Sequence, residues 1–134
     1  MSAAENKSIL QSAFTALANG DGKPFLACMA DDFVWTVMGT TPWSRSYAGK
    51  AVVQAELLRP LFAQFAERYT NTAVQIVAED DYVVVECRGR VTLQSGDAYN
   101  NGYCYVCRFA DGQMVELREY MDTALAEKVL APPA

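Results

Sequence analysis

The sequence contains no histidine among its 134 residues. That absence removes the Ser-His-Asp and Cys-His nucleophile systems and the zinc motifs built on imidazole. Any acid–base chemistry falls to Asp, Glu, Tyr, Lys, Cys or water. Long apolar runs are missing as well. None approaches the roughly 20 residues needed to cross a bilayer, so no membrane partner is expected. The opening residues, MSAAENKSIL, have no basic stretch followed by an apolar one. No secretory leader is read there, and the chain is expected to be cytoplasmic. Cationic excess is lacking too: 11 Lys and Arg stand against 16 Asp and Glu, a net charge of −5. Nucleic-acid binders displace counterions with a basic surface, so nucleic acid is not an expected partner.

Cysteine is scarce, with Cys28, Cys87, Cys104 and Cys107 only. Cys104 and Cys107 fit a C-x-x-C spacing, but they lie in the alternating run YNNGYCYVCRF. Positions three apart in a strand point to opposite faces, so these two thiols cannot share a metal. Buried free thiols acting as small hydrophobes are the better reading, and neither a metal nor a cofactor is expected.

What is present is a globular composition, 51% hydrophobic and 20% charged. A chain of this length buries enough surface for one core, so residues 1–134 read as one domain with a core over about 5–130. Ile9, Leu10, Ala13, Phe14 and Leu17 recur at helical spacing over 5–19, and Gly20 follows as a terminator. A short second helix is read from Asp21, turning Phe25, Leu26 and Met29 inward. Residues 31–39 read as a strand and 40–49 as a loop. A helix over 50–68 follows, kinked or broken by Pro60. Four strands come next, at 71–79, 82–93, 98–109 and 113–122, then a short helix near 124–130. This order describes an α+β fold: a curved antiparallel sheet wrapped around helices, enclosing a cone-shaped cavity.

The last strand poses a problem. In QMVELREYMDT, Val115, Leu117 and Met121 share one face, and Glu119 lies among them. Asp111-Gly112 as a two-residue turn sets Glu119 opposite Cys104, and a symmetric loop at 94–97 sets Cys104 opposite Cys87. The inward face then holds Val83, Val85, Cys87, Gly89, Cys104, Val106, Leu117, Glu119 and Met121. The outward face holds Arg88, Tyr103, Tyr105, Arg118 and Tyr120, a mixture suited to a wet subunit interface. One bulge would exchange the faces of a whole strand.

Several stretches, ADDFVWTVMG, YAGKAVV and YNNGYCYVCRFADGQMVELREYMDT, together with the helix–helix–strand order, resemble the SnoaL-like branch of the nuclear-transport-factor-2-like (ketosteroid-isomerase-like) superfamily. The likeness implies a cone-shaped α+β barrel, a homodimer through the sheet, and a mostly apolar pocket for a small hydrophobic organic ligand. It implies cofactor-free isomerase, cyclase, dehydratase or condensation chemistry, or else simple binding or dimerisation on the same fold. The REYMD ending resembles that of phenazine-biosynthesis A/B proteins, which carries an acid/base role onto Glu119. The sequence also departs from the family. Met38, Gly39 and Thr40 stand where the isomerase type has its aspartate base, no Arg-x-Asp occurs around Tyr99–Asn101, and the histidine partner of some cyclases is absent.

Three roles for Glu119 stay open: a pocket acid/base, a buried and satisfied carboxylate, or a solvated one. Trp35, Trp43, Phe62 and Phe65 are candidate ligand-binding residues, with ordinary core packing as the alternative. Phe62 reads as core, and Trp43, beside Pro42, as a mobile lid. Cys87, Cys104 and Met121 complete the predicted lining.

Overall fold

The computed structural model describes residues 1–133. Helix α1 (Ala3–Ala18) starts with a reciprocal cap: Ser2 Oγ accepts from the Glu5 backbone N–H, and Glu5 Oε1 accepts from that of Ser2. It buries the predicted stripe of Leu10, Ala13, Phe14 and Leu17 against strands β3 and β4 of the sheet. The chain reverses after Gly20 at φ +82°, where a side chain would collide with Arg68. Helix α2 (Lys23–Ala27) then sends Phe25 inward to meet Phe14 edge-on at 5.6 Å.

Six strands form one sheet: β1 (Met29–Val37), β2 (Ser46–Ala48), β3 (Thr70–Glu79), β4 (Tyr82–Arg90), β5 (Gly102–Ala110) and β6 (Gln113–Met121). Their spatial order is β2-β1-β6-β5-β4-β3. The meander from β3 to β6 is antiparallel throughout, and β1 joins it by pairing parallel to β6. Segment 40–49, expected as loop alone, contains the short strand β2. The helix expected over 50–68 ends early. It begins as α3 (Lys50–Val52), widens into a π-helical stretch (Val53–Leu58) and closes as α4 (Arg59–Phe62). Pro60 has no N–H to give to the preceding turn and its ring presses on that turn's carbonyl, so the wider winding just before it relieves the strain. Helix α5 (Thr123–Val129) is capped by Asp122, whose carboxylate accepts from the Leu125 N–H.

The register differs from the one expected. Asp111 and Gly112 do form the turn, both at positive φ, and Ala110 pairs with Gln113 and Phe109 with Met114. A bulge at Val115 then inserts one residue into β6, so Glu119 faces Tyr105 and not Cys104. On the other side Cys87 faces Tyr103, and Glu86 faces Cys104. The faces of β5 are therefore exchanged. Tyr103, Tyr105, Cys107 and Phe109 turn inward and are buried, whereas Gly102, Cys104 and Val106 turn outward. The outer face collects Glu86, Arg88, Cys104, Val106, Arg118 and Tyr120. Its arginines pair loosely, Arg88 with Glu86 at 3.8 Å and Arg118 with Glu116 at 3.4 Å. No helix among the described residues is long and apolar enough to cross a membrane.

Candidate active site

The helices and the inner face of the sheet enclose a cavity of about 320 Å³. Apart from the exposed Lys23 of α2, its helical wall is apolar: Phe25 and Leu26 from α2, Leu57 and Leu58 from the π-helical stretch, Leu61 and Phe62 from α4. The sheet side is different. There Glu119 of β6, Tyr103 and Tyr105 of β5, Asn71 of β3 and the connecting-segment residues Tyr69 and Tyr99 all line the cavity. Apolar walls around a few convergent polar groups are the usual make-up of a small-molecule site.

Glu119 is 8% exposed and lines the cavity. The indole N–H of Trp35 donates to its Oε1 at 2.8 Å. Parallel pairing makes this contact possible, because β1 sets Val37 beside Glu119 and brings Trp35 alongside on the same face. Burial pushes the carboxyl from an ordinary 4.5 up to about 7, with the Trp35 hydrogen bond acting in the opposite direction. Both protonation states are thus populated near neutral pH. The neighbouring phenols move away from neutrality: burial raises Tyr103 and Tyr105 well above the usual tyrosine range, and raises Tyr69 and Tyr99 as well. All four therefore remain hydrogen-bond donors at neutral pH.

A hydrogen-bonded frame supports this polar floor. Asn101, also buried, donates from Nδ2 to Tyr99 Oη at 3.3 Å and to the Asp122 carbonyl at 3.1 Å, and accepts from the Asp122 N–H at 3.2 Å. Asn71 donates from Nδ2 to Tyr69 Oη at 3.2 Å. Gly89 is required where it stands, since an added Cβ would come within 2.6 Å of Tyr69 Oη and 2.9 Å of the Tyr103 ring. Strand alternation had turned Gly89 inward without marking it as part of a site, and Tyr69, Asn71 and Tyr99 were not selected at all. Only the Tyr-x-Asn-x-Tyr spacing of 99–103 could have drawn notice, once β5 was turned over.

Of the predicted lining residues, Trp35, Trp43, Phe62, Phe65 and Met121 border the cavity together with Glu119. Cys87 is buried on the inner face beneath them, its thiol pushed up to about 12 by burial. Cys104 does not belong to the site, because the β6 bulge and the shifted β4–β5 pairing turn it outward. Cys87 and Cys104, on opposite faces, are both free thiols. For the same reason Tyr103 and Tyr105 leave the predicted subunit face and become cavity wall, while Arg88, Arg118 and Tyr120 stay on the outer face. Phe62, expected in the core, is 48% exposed and packs its ring, tilted by 30°, against Phe65 at 5.1 Å on the cavity rim. Trp43 is not a free lid. It is buried, and its indole N–H donates to the Ala131 carbonyl at 3.0 Å, fastening the loop to the C-terminal segment. Gln64 holds the same Ala131 through both its amide atoms.

No curated protein matches the sequence. Solved structures of similar fold do exist. An NTF2-like protein of unknown function from Burkholderia pseudomallei K96243 superposes with a TM-score of 0.80 at 23% identity, covering 98% of this chain and 99% of that one. A protein described as a SnoaL-like polyketide cyclase, from Jannaschia sp. CCS1, gives a TM-score of 0.76 at 18% identity over 98% and 94% of the two chains. TerC, co-crystallised with polyporic acid, gives 0.77 at 17% identity over 93% and 97%. At these identities the likeness shows the fold, which is NTF2-like. The sequence itself goes further, for residues 10–117 match the model of the SnoaL-like domain. Running from within the first helix into the last strand, that match shows that the chain belongs to the SnoaL-like family.

Proposed function

We propose that the chain is a cofactor-free acid/base enzyme acting on a small, largely apolar organic molecule held in the cavity, with Glu119 as the proton shuttle. The observation that carries this reading is a buried carboxyl, raised to about 7, at the polar floor of an otherwise apolar cavity. Ionised Glu119 takes a proton from a carbon beside a carbonyl, and the electron pair of that C–H bond moves onto the carbonyl oxygen. The phenols of Tyr103 and Tyr105, protonated at neutral pH, donate hydrogen bonds to the resulting enolate. Two outcomes are open to the enolate. Where a C=C lies β,γ to the carbonyl, the enolate is a dienolate that takes the proton back from Glu119 at the γ carbon, which moves the double bond and is an isomerisation. Alternatively it attacks a second carbonyl, and Glu119 protonates the new alkoxide, which is a cyclisation or condensation. The co-crystallisation of TerC with polyporic acid and the polyketide-cyclase description of the Jannaschia protein support an organic ligand of this general kind. We further propose a homodimer through the outer face bearing Arg88, Arg118 and Tyr120.

A second reading, capture of a hydrophobic metabolite without reaction, draws on a different observation: Glu119 is the one carboxyl that borders the cavity among the described residues. Exchange of the α-protons of 2-tetralone in deuterated buffer, followed by proton NMR, separates the two. The enzyme reading predicts exchange above the buffer rate with an apparent pKa near 7, lowered about 100-fold or more in Glu119→Gln. Binding of 2-tetralone without faster exchange would leave the capture reading in its place.

A further inference from the structure

Two buried side-chain polar atoms lack a hydrogen-bond partner among the described residues, Asn6 Oδ1 and Asn71 Oδ1. Asn6 lies on α1, away from the cavity lining, whereas Asn71 belongs to that lining. Asn71 is only 2% exposed, and β3 sets it beside Gly89, directly under the tyrosine cluster. Its two amide ends are treated differently. Nδ2 donates to Tyr69 Oη at 3.2 Å, and the Asn71 amide also favours ionisation of the Cys87 thiol. Oδ1 has no partner among the described residues. Buried amide oxygens are nearly always paired, and an exception at a cavity wall calls for a partner that enters the cavity.

We infer that Asn71 is a specificity-determining residue of the cavity, and that its Oδ1 accepts a hydrogen bond from a hydroxyl or amine at the end of the ligand remote from Glu119. This rests on the reading of the cavity as a small-molecule site, and it adds a requirement on the ligand. Asn71 stands on β3 and Glu119 on β6, with β4 and β5 between them. The β3 residue in line with Glu119 is Ile76, so the two groups are also offset along the strands. A molecule meeting both groups carries a donor set apart from its reacting carbon, with an apolar body between. One that lacks the donor leaves Oδ1 unpaired, and that difference is the source of discrimination.

The test uses the full chain and two probes, naphthalene and a dihydroxynaphthalene with hydroxyls at opposite ends, titrated calorimetrically against wild type and Asn71→Leu. The inference predicts crossed responses: about tenfold weaker binding of the diol by the variant, with naphthalene binding unchanged or tighter. A diol affinity that does not change, or a parallel loss for both probes, overturns the assignment of Asn71 alone. If wild type binds neither probe, the ligand-site reading of the cavity falls and the assignment with it. A measurement on wild type guards against a variant that does not fold. The side-chain carbonyl carbon of Asn71 should shift in the NMR spectrum on adding the diol and stay in place on adding naphthalene. Equal shifts, or none with the diol, would also overturn the inference.

Discussion

Replacing Glu119 by glutamine should make the protein more stable, and more so the more alkaline the solution. In the folded state burial raises this carboxyl from 4.5 to about 7, so the native protein holds its proton more tightly than the unfolded chain does. For a raised group the associated stability is fully present below the unfolded value. It declines between 4.5 and 7 and is gone above the folded value. Such a rise corresponds to about 3 kcal/mol withdrawn from the folded state by pH 8.5. Glutamine resembles the protonated acid: its Oε1 can still accept from the Trp35 N–H, and it carries no charge to bury. Urea unfolding of wild type and Glu119→Gln at a series of pH values is the assay. The two should agree near pH 4.5 and diverge progressively, with the variant more stable by about 2–3 kcal/mol at pH 8.5. Parallel stability profiles would refute the reasoning, because they would mean that Glu119 ionises without a burial cost. A gain in stability on removing the proposed proton shuttle also fits the general conflict between a strained functional site and the most stable fold.

Three further outcomes follow from the same geometry. Trp35→Phe removes the hydrogen bond that favours the Glu119 carboxylate, and a bond to a charged group is worth about 1.5–3 kcal/mol, so Glu119 should titrate about one to two pH units higher by infrared spectroscopy. Gly89→Ala forces a methyl into Tyr69 and Tyr103 and should cost about 1–3 kcal/mol in urea unfolding, with altered tyrosine fluorescence or near-ultraviolet dichroism. Asn101→Ala leaves the Asp122 N–H without its acceptor, while the Asp122 carbonyl keeps the Ala126 N–H, and should lower stability by about 1–2 kcal/mol while loosening α5, visible as faster amide exchange over 122–129.

The segments themselves were legible because hydrophobic period follows the backbone: α1, α5 and the four meander strands stand close to where alternation and turn residues put them. Glu119 was legible for the same reason. Its face is fixed by its own neighbours, Leu117 and Met121, independently of what pairs with β6. The faces of β5 were not legible. Tyr103, Tyr105, Cys104 and Val106 alternate two plausible faces, one aromatic and one aliphatic, and composition does not choose between them. Only pairing decides, and a single extra residue at Val115 moves the pairing by one. The parallel pairing of β1 with β6 was equally out of reach, since nothing local to either strand encodes it. With it went the Trp35–Glu119 hydrogen bond, made between residues 84 apart in sequence. Tyr69 lies between the expected helix and the expected strand and Asn71 is the first residue of that strand, and no period marked either as part of a site.

The central claim is that a buried carboxyl in the cavity is poised to exchange protons at neutral pH, and the direct measurement is the titration of Glu119 itself. Carboxyl-carbon NMR from pH 3 to pH 9, with Glu119→Gln to assign the resonance, reads it without any substrate. A midpoint at about 7 is expected. A midpoint near the unperturbed ~4.3 would contradict it, leaving a carboxylate that is charged throughout the neutral range and no proton shuttle in the cavity.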